Sequence, residues 1–186
     1  MKKIILDLCG GTGSWSRPYK ASSEYEVLNI TLPECDVRRY EPPKNVYGIL
    51  AAPPCTEFSL AKTTAARNFE IGLEIVVACL KIIWKSRIKN RIKFWALENP
   101  TGILRQFLGL PAMTFQPYEY GNFYTKKTDV WGYFNIPKKK PLSGFMNQFI
   151  NNNYIGNIAG WDKEKQKELR SKTPAGFAQS FFKANR

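Results

Sequence analysis

The chain contains no histidine among its 186 residues. That absence excludes Ser-His and Cys-His catalytic pairs and His-containing zinc sites, so any nucleophile here is activated without an imidazole. No stretch approaches the ~18 consecutive apolar residues of a membrane span. The opening residues, Met1-Lys2-Lys3 followed directly by Ile4-Ile5-Leu6-Asp7, lack the shape of a secretory signal. The expectation is a cytoplasmic protein without a membrane partner. Cysteine is scarce, at positions 9, 35, 55 and 79, and shows no paired spacing, which predicts free thiols in a reducing compartment. Acidic residues are also few: 15 Asp and Glu stand against 28 Lys and Arg, a formal charge of +13. Such an excess suits an acidic polymer, nucleic acid first, because phosphate neutralisation supplies most sequence-independent affinity; a merely soluble basic surface is the other reading. Aromatics at 14% and hydrophobics at 44% are enough for one ordinary core.

What is present alternates. Ile4 to Leu8 is a short apolar run closed by Cys9-Gly10-Gly11-Thr12-Gly13-Ser14-Trp15-Ser16, a pattern of strand, glycine loop and helix start. No Gly-Lys-Ser/Thr follows, so it is not a nucleoside-triphosphate loop. Tyr25 to Ile30 reads as a second strand, and Cys35 to Arg38 as a short extended or turn segment. Val46 to Ala52 is a third strand, stopped by Pro53 and Pro54, which deliver Cys55 to its end. Cys55 is either a catalytic nucleophile or a small buried hydrophobe. Asn68 to Arg87 carries apolar residues at helical spacing, and Phe94 to Leu97 is a strand ending in Glu98-Asn99-Pro100-Thr101-Gly102. Ile103 to Leu108 predicts a short helix closed by Gly109. Met113 to Tyr118 and Asp129 to Phe134 predict two last strands, joined through a segment where aromatics interleave with lysines. That segment fits either a nucleic-acid surface or a hairpin with tyrosines packed on its stem. Trp161 to Arg170 and Pro174 to Ala184 are helix candidates. Strands alternating with helices predict a doubly wound α/β sheet, with the site at the carboxyl ends of the first and third strands.

Three elements, Asp7 to Gly13, then Pro53-Pro54-Cys55 with Phe58-Ser59, then Glu98-Asn99-Pro100, together resemble the DNA cytosine-C5 methyltransferase family in order and spacing. The likeness spans residues 4 to 134 and, more loosely, the C-terminal helix, and is greatest to compact, phage-type members. It implies a Rossmann-like S-adenosylmethionine-dependent methyltransferase fold with a mixed, mostly parallel sheet, working in a bacterial or phage-infected cell. By the same resemblance Cys55 is the thiolate that adds to carbon 6 of cytosine, Glu98 holds the base and protonates its ring, and Lys126 completes the catalytic set. Asp7, Cys9, Gly10, Gly11, Gly13, Trp15, Asn29, Asp36 and Pro53 are the positions matching the cofactor site, and Ser59, Lys126, Lys127 and Thr128 those facing nucleic acid. No metal is implied.

This chain departs from the pattern at several positions. Cys9 stands where a Phe is usual, Asn29 where an acidic residue is usual, and Lys126 and Thr128 where a pair of arginines is usual. Too few residues follow Gly132 for a separate target-recognition domain, so 1–186 reads as a single catalytic domain. Specificity is then minimal, carried by short loops such as 138 to 155, or supplied by a protein partner. RNA or a free cytosine nucleotide as substrate, and a catalytically idle nucleic-acid-binding module, remain the alternatives.

Overall fold

In the computed structural model, residues 2–63, 65–141, 162 and 169–186 are described. Six strands form one sheet: β1 (Lys3–Leu8), β2 (Tyr25–Ile30), β3 (Val46–Ala51), β4 (Phe94–Pro100), β5 (Met113–Phe115) and β6 (Thr128–Tyr133), in the order β2-β1-β3-β4-β6-β5. The first four are mutually parallel, whereas β6 runs antiparallel to both β4 and β5. This is the mixed, mostly parallel Rossmann-like sheet expected. Helices α1 (Arg17–Lys20), α2 (Phe69–Asn90), α3 (Leu104–Leu108) and α4 (Ala175–Ala184) are accompanied by 3-10 turns at Val37–Arg39 and Pro117–Tyr120.

The apolar strands are buried on both faces, and their alternation sorts side chains into two cores. Leu6, Leu8, Ile49, Ala51, Leu97 and Trp131 pack with Val76, Cys79, Ile82 and Ile83 of α2. Ile5, Leu50, Ala96 and Val130 point the other way, toward Trp15, Tyr19, Phe177 and Phe181 around α1 and α4. The second core is rich in aromatics, with Phe115 stacked on Phe177 at 3.8 Å. Asn68 caps α2, its side-chain oxygen accepting from the Ile71 N–H at 3.0 Å. Among the described residues no helix is long and apolar enough to cross a membrane.

Two expectations need correction. The strand anticipated over Met113 to Tyr118 stops at Phe115, because Pro117 has no N–H to give a sheet. A 3-10 turn, Pro117–Tyr120, follows instead, with Gln116 and Glu119 capping each other's backbone. Strand β4 continues to Pro100, so Glu98 and Asn99 sit within the ladder, opposite Val130 and Asp129, and not beyond its end. The helix expected over 161–170 and the loop 142–155 lie outside the described residues, Asp162, Leu169 and Arg170 excepted.

Candidate functional site

Four segments meet at the carboxyl edge of the parallel strands. After β3 the chain turns at Cys55, whose carbonyl accepts from the N–H groups of Phe58 (3.0 Å) and Ser59 (2.8 Å). Asn99 on β4 donates its amide to the Pro53 carbonyl at 2.9 Å, fixing the approach to Cys55. Ser59 bridges Gly102, and the Ile103 N–H donates to the Phe58 carbonyl at 2.9 Å. A side chain at Gly102 would place its Cβ 2.3 Å from that carbonyl, so only glycine permits this crossing. The Thr101 N–H donates to the Lys127 carbonyl at 2.8 Å, and the Lys126 N–H donates to the Gln116 side chain at 3.0 Å. Arg67 closes the loop beyond Cys55 by donating to the carbonyls of Glu57, Ser59 and Lys62.

This lacework gathers Cys55, Glu98 and Lys126 into one electrostatic unit. Glu98 is 7% exposed and its Oε2 has no hydrogen-bond partner. Burial pushes its carboxyl up, and the Lys126 charge works in the opposite direction. Burial likewise raises the Cys55 thiol; Lys126 lowers it, the Glu98 charge raises it and Arg170 lowers it. Lys126 is itself only 6% exposed and forms none of the ion pairs between described residues. Burial thus disfavours charge on both Glu98 and Cys55, and Lys126 is a neighbour that favours it on each. The titration of Cys55 checks this. At pH 8, Lys126→Gln is expected to slow iodoacetamide alkylation of Cys55 about threefold, and Glu98→Gln to speed it by a similar factor, each equivalent to about half a pH unit. Peptide mass analysis separates Cys55 from the other three thiols; equal rates in all three proteins would disprove the coupling.

The glycine loop lies one strand away. Asp7 is fully buried at the end of β1, accepts from Ser16 Oγ at 2.5 Å, and keeps its Oδ1 without a partner. Burial raises its pKa to about 6. Gly10 lies directly on this carboxyl, where a Cβ would come within 2.4 Å of the Asp7 Cγ. Cys9, Gly11 and Gly13 all take positive φ, and Asn29 donates to the Gly11 carbonyl at 2.9 Å, tying the loop to β2. An open surface remains over Gly11, where an added Cβ would meet nothing within 4 Å.

The remaining predicted positions serve neighbouring structure. Cys9 Sγ lies 4.0 Å from Cys79 Sγ on α2. Asp36 is engaged by Arg38, which donates to both carboxylate oxygens, and this holds its carboxyl down at about 2. Trp15, at 2% exposure, packs on Phe177 and Phe181. Thr128 is buried and donates to the Lys126 carbonyl, Ser59 accepts from the Ala61 N–H, and Lys127 is exposed. Asn99 and Gly102 lie in the Glu98 to Gly102 stretch singled out in the sequence, though not as site residues, whereas Arg67 and Gln116 carry no sequence signal.

Among solved structures the chain is similar to one from E. coli described as a "putative DNA modification methyltransferase encoded within prophage". The TM-score is 0.50 at 13% identity, over 70% of this chain and 46% of that one. The chain therefore spans about half the length of that protein. No family model and no curated protein matches it. The likeness is one of fold, a Rossmann-like α/β sheet.

Proposed function

We propose that this protein is a DNA methyltransferase that moves a methyl group from S-adenosylmethionine to carbon 5 of cytosine through a covalent Cys55 adduct, with 1–186 acting as one catalytic domain. The observation that carries the reading is the convergence of Cys55, the buried Glu98 with its unpartnered oxygen, and Lys126 at one sheet edge. The basic surface and the likeness of fold support it.

Carbon 5 of cytosine is a weak nucleophile. Addition of the Cys55 sulfur to carbon 6, with a proton passing from Glu98 to ring nitrogen 3, turns the ring into an enamine whose carbon 5 attacks an electrophile. A carboxyl raised by burial holds its proton to higher pH than an exposed one, which suits it to give that proton. Its ionisation afterwards leaves a carboxylate in the field of Lys126. Loss of the carbon 5 proton to water, cleavage of the carbon 6–sulfur bond with its electron pair leaving on sulfur, and return of the nitrogen 3 proton to Glu98 restore the aromatic ring, the thiolate and the acid. The base has to leave the duplex first, because stacking covers the ring faces.

The residues present fit S-adenosylmethionine at its amino-acid end. Asp7 Oδ1 is a buried acceptor without a donor, and the close packing of Gly10 leaves the loop backbone open above it. When bound, the cofactor supplies the methyl group as a sulfonium. Asn29 near the end of β2 and the Asp36–Arg38 pair beyond it are polar groups available to the nucleoside part.

The test is covalent trapping with an oligonucleotide carrying 5-fluorocytosine, whose fluorine blocks the resolving step. With S-adenosylmethionine present, a stable adduct on the Cys55 peptide is expected. Absence of any Cys55-dependent adduct overturns the reading. Parallel assays of labelled methyl transfer to duplex DNA, single strands, RNA and dCMP are expected to favour DNA; labelling of dCMP alone would overturn the polymer substrate.

A further inference from the structure

Beyond β6 the chain builds a second charged feature, away from Cys55. Asn135 is clamped to the end of α4: its N–H donates to Asn185 Oδ1 (2.7 Å), its carbonyl accepts from Asn185 Nδ2 (3.0 Å), and its own amide donates to the Ala184 carbonyl (2.9 Å). Tyr120 donates its hydroxyl to the Pro137 carbonyl at 3.3 Å, and the Lys140 N–H donates to the Glu119 carbonyl at 2.9 Å. A strap over 135–140 is thus fixed at both ends. Between it and α4 lies a cleft of about 520 Å³, lined by Ile136, Lys138, Lys139, Lys140, Ser180 and Lys183. Lys139 is neutralised by Glu119 at 2.5 Å. Lys138, Lys140 and Lys183 have no carboxylate within ion-pair reach among the described residues.

We propose that this cleft is a second nucleic-acid site, holding backbone phosphate of the strand that flanks the target base. Three uncompensated ammonium groups on a braced backbone suit a polyanion, since each can neutralise a phosphate and release its counterion. Ile136, 61% exposed, offers an apolar floor on which a sugar or base can rest. The position favours nucleic acid over an acidic peptide. Lys140 is bonded at Glu119, and Gln116, at the other end of the same 3-10 turn, accepts from Lys126 at the catalytic edge. Tyr133 pairs with Trp95 at the start of β4, so the cleft runs from the far edge of the sheet, beside Asn135 and Lys183, back to this turn, and its Lys140 end is the one that adjoins the catalytic edge along the path of a bound strand. The proposal rests on the nucleic-acid substrate argued above.

The experiment compares wild type, K138Q/K140Q/K183Q and the charge-matched control K20Q/K44Q/K81Q in binding a fluorescent oligonucleotide across salt. The cleft variant is expected to lower the slope of log affinity against log salt by about 2, from the ~0.7 to 0.9 contributed by each phosphate contact. The control is expected to leave the slope nearly unchanged. The substituted lysines lie at the surface, so melting temperatures should agree within a few degrees. An unchanged slope in the cleft variant, or an equal loss in the control, overturns the proposal. Cys55 trapping at saturating oligonucleotide keeps the two readings apart. Trapping with an unchanged slope removes the cleft alone; a reduced slope without trapping keeps the cleft and removes the methyl-transfer chemistry. No binding by wild type removes both.

Discussion

Cys55→Ser is expected to lower methyl transfer by at least about 10³-fold and to abolish the 5-fluorocytosine adduct, while leaving the fold in place. The size of the loss follows from the composition. A serine hydroxyl needs a general base to become a nucleophile, and this chain has no histidine to serve as one. Lys126, the group that favours a charged sulfur, is a cation and cannot accept the hydroxyl proton. The backbone at this position is held by Phe58 and Ser59 N–H groups on the Cys55 carbonyl and by Asn99 on Pro53, none of which involves the thiol. Stability should therefore change by no more than about 1 kcal/mol, read as a melting shift of a few degrees. Residual methyl transfer within tenfold of wild type would remove Cys55 from the chemistry. An unfolded variant would show that the thiol serves packing, the competing reading of a small half-buried side chain.

Much of this architecture is legible in the sequence, because strands buried on both faces read as apolar runs and proline ends them abruptly. Tyr25 to Ile30 and Val46 to Ala51 are found where hydrophobicity and β-branching put them. Cys55 and Glu98 stand out in the sequence as candidates, and the structure places the first beyond β3 and the second within β4. What stays hidden is the bracing. Asn99 reaches Pro53 and Arg67 reaches three carbonyls, and a bond to a backbone oxygen demands no particular residue at the far end, so nothing marks the pair in the sequence. Gly102 is required by a carbonyl far away in the chain, at Phe58. Trp15 illustrates the converse. The family resemblance implies a cofactor contact, and its ring also packs on α4, a partner that no local pattern announces. Pro117 ends β5 early for a local reason that was readable, but the pull of Phe115, Tyr118 and Tyr120 as strand formers obscured it.

Asp7→Asn is expected to stabilise the protein by about 2 to 3 kcal/mol above pH 7 while weakening S-adenosylmethionine binding. Burial raises the Asp7 pKa to about 6, against an ordinary value of 3.8 in an unfolded chain. A group whose folded pKa is raised binds its proton more tightly in the native state. Its contribution is fully present below pH 3.8 and is lost as pH rises through about 6, because the charged form must then be kept in a dry site. The gap between those two values, already net of the Ser16 hydroxyl's donation to Oδ2, corresponds to about 3 kcal/mol. Asparagine presents one acceptor for Ser16 and has no charge to bury. The melting temperatures of wild type and variant should coincide near pH 4 and separate above pH 6, with the variant higher. Coincidence at pH 8 would mean that water or an unrecognised donor already satisfies Oδ1. The functional cost follows from the same atom. If Oδ1 is kept without a partner to receive the cofactor's ammonium group, replacing the carboxylate by an amide removes a charge-assisted hydrogen bond, and S-adenosylhomocysteine binding by calorimetry should weaken about tenfold or more. A variant both more stable and unaltered in binding would detach Asp7 from the cofactor site; one more stable and weaker in binding would show a buried charge maintained at the expense of stability for its ligand.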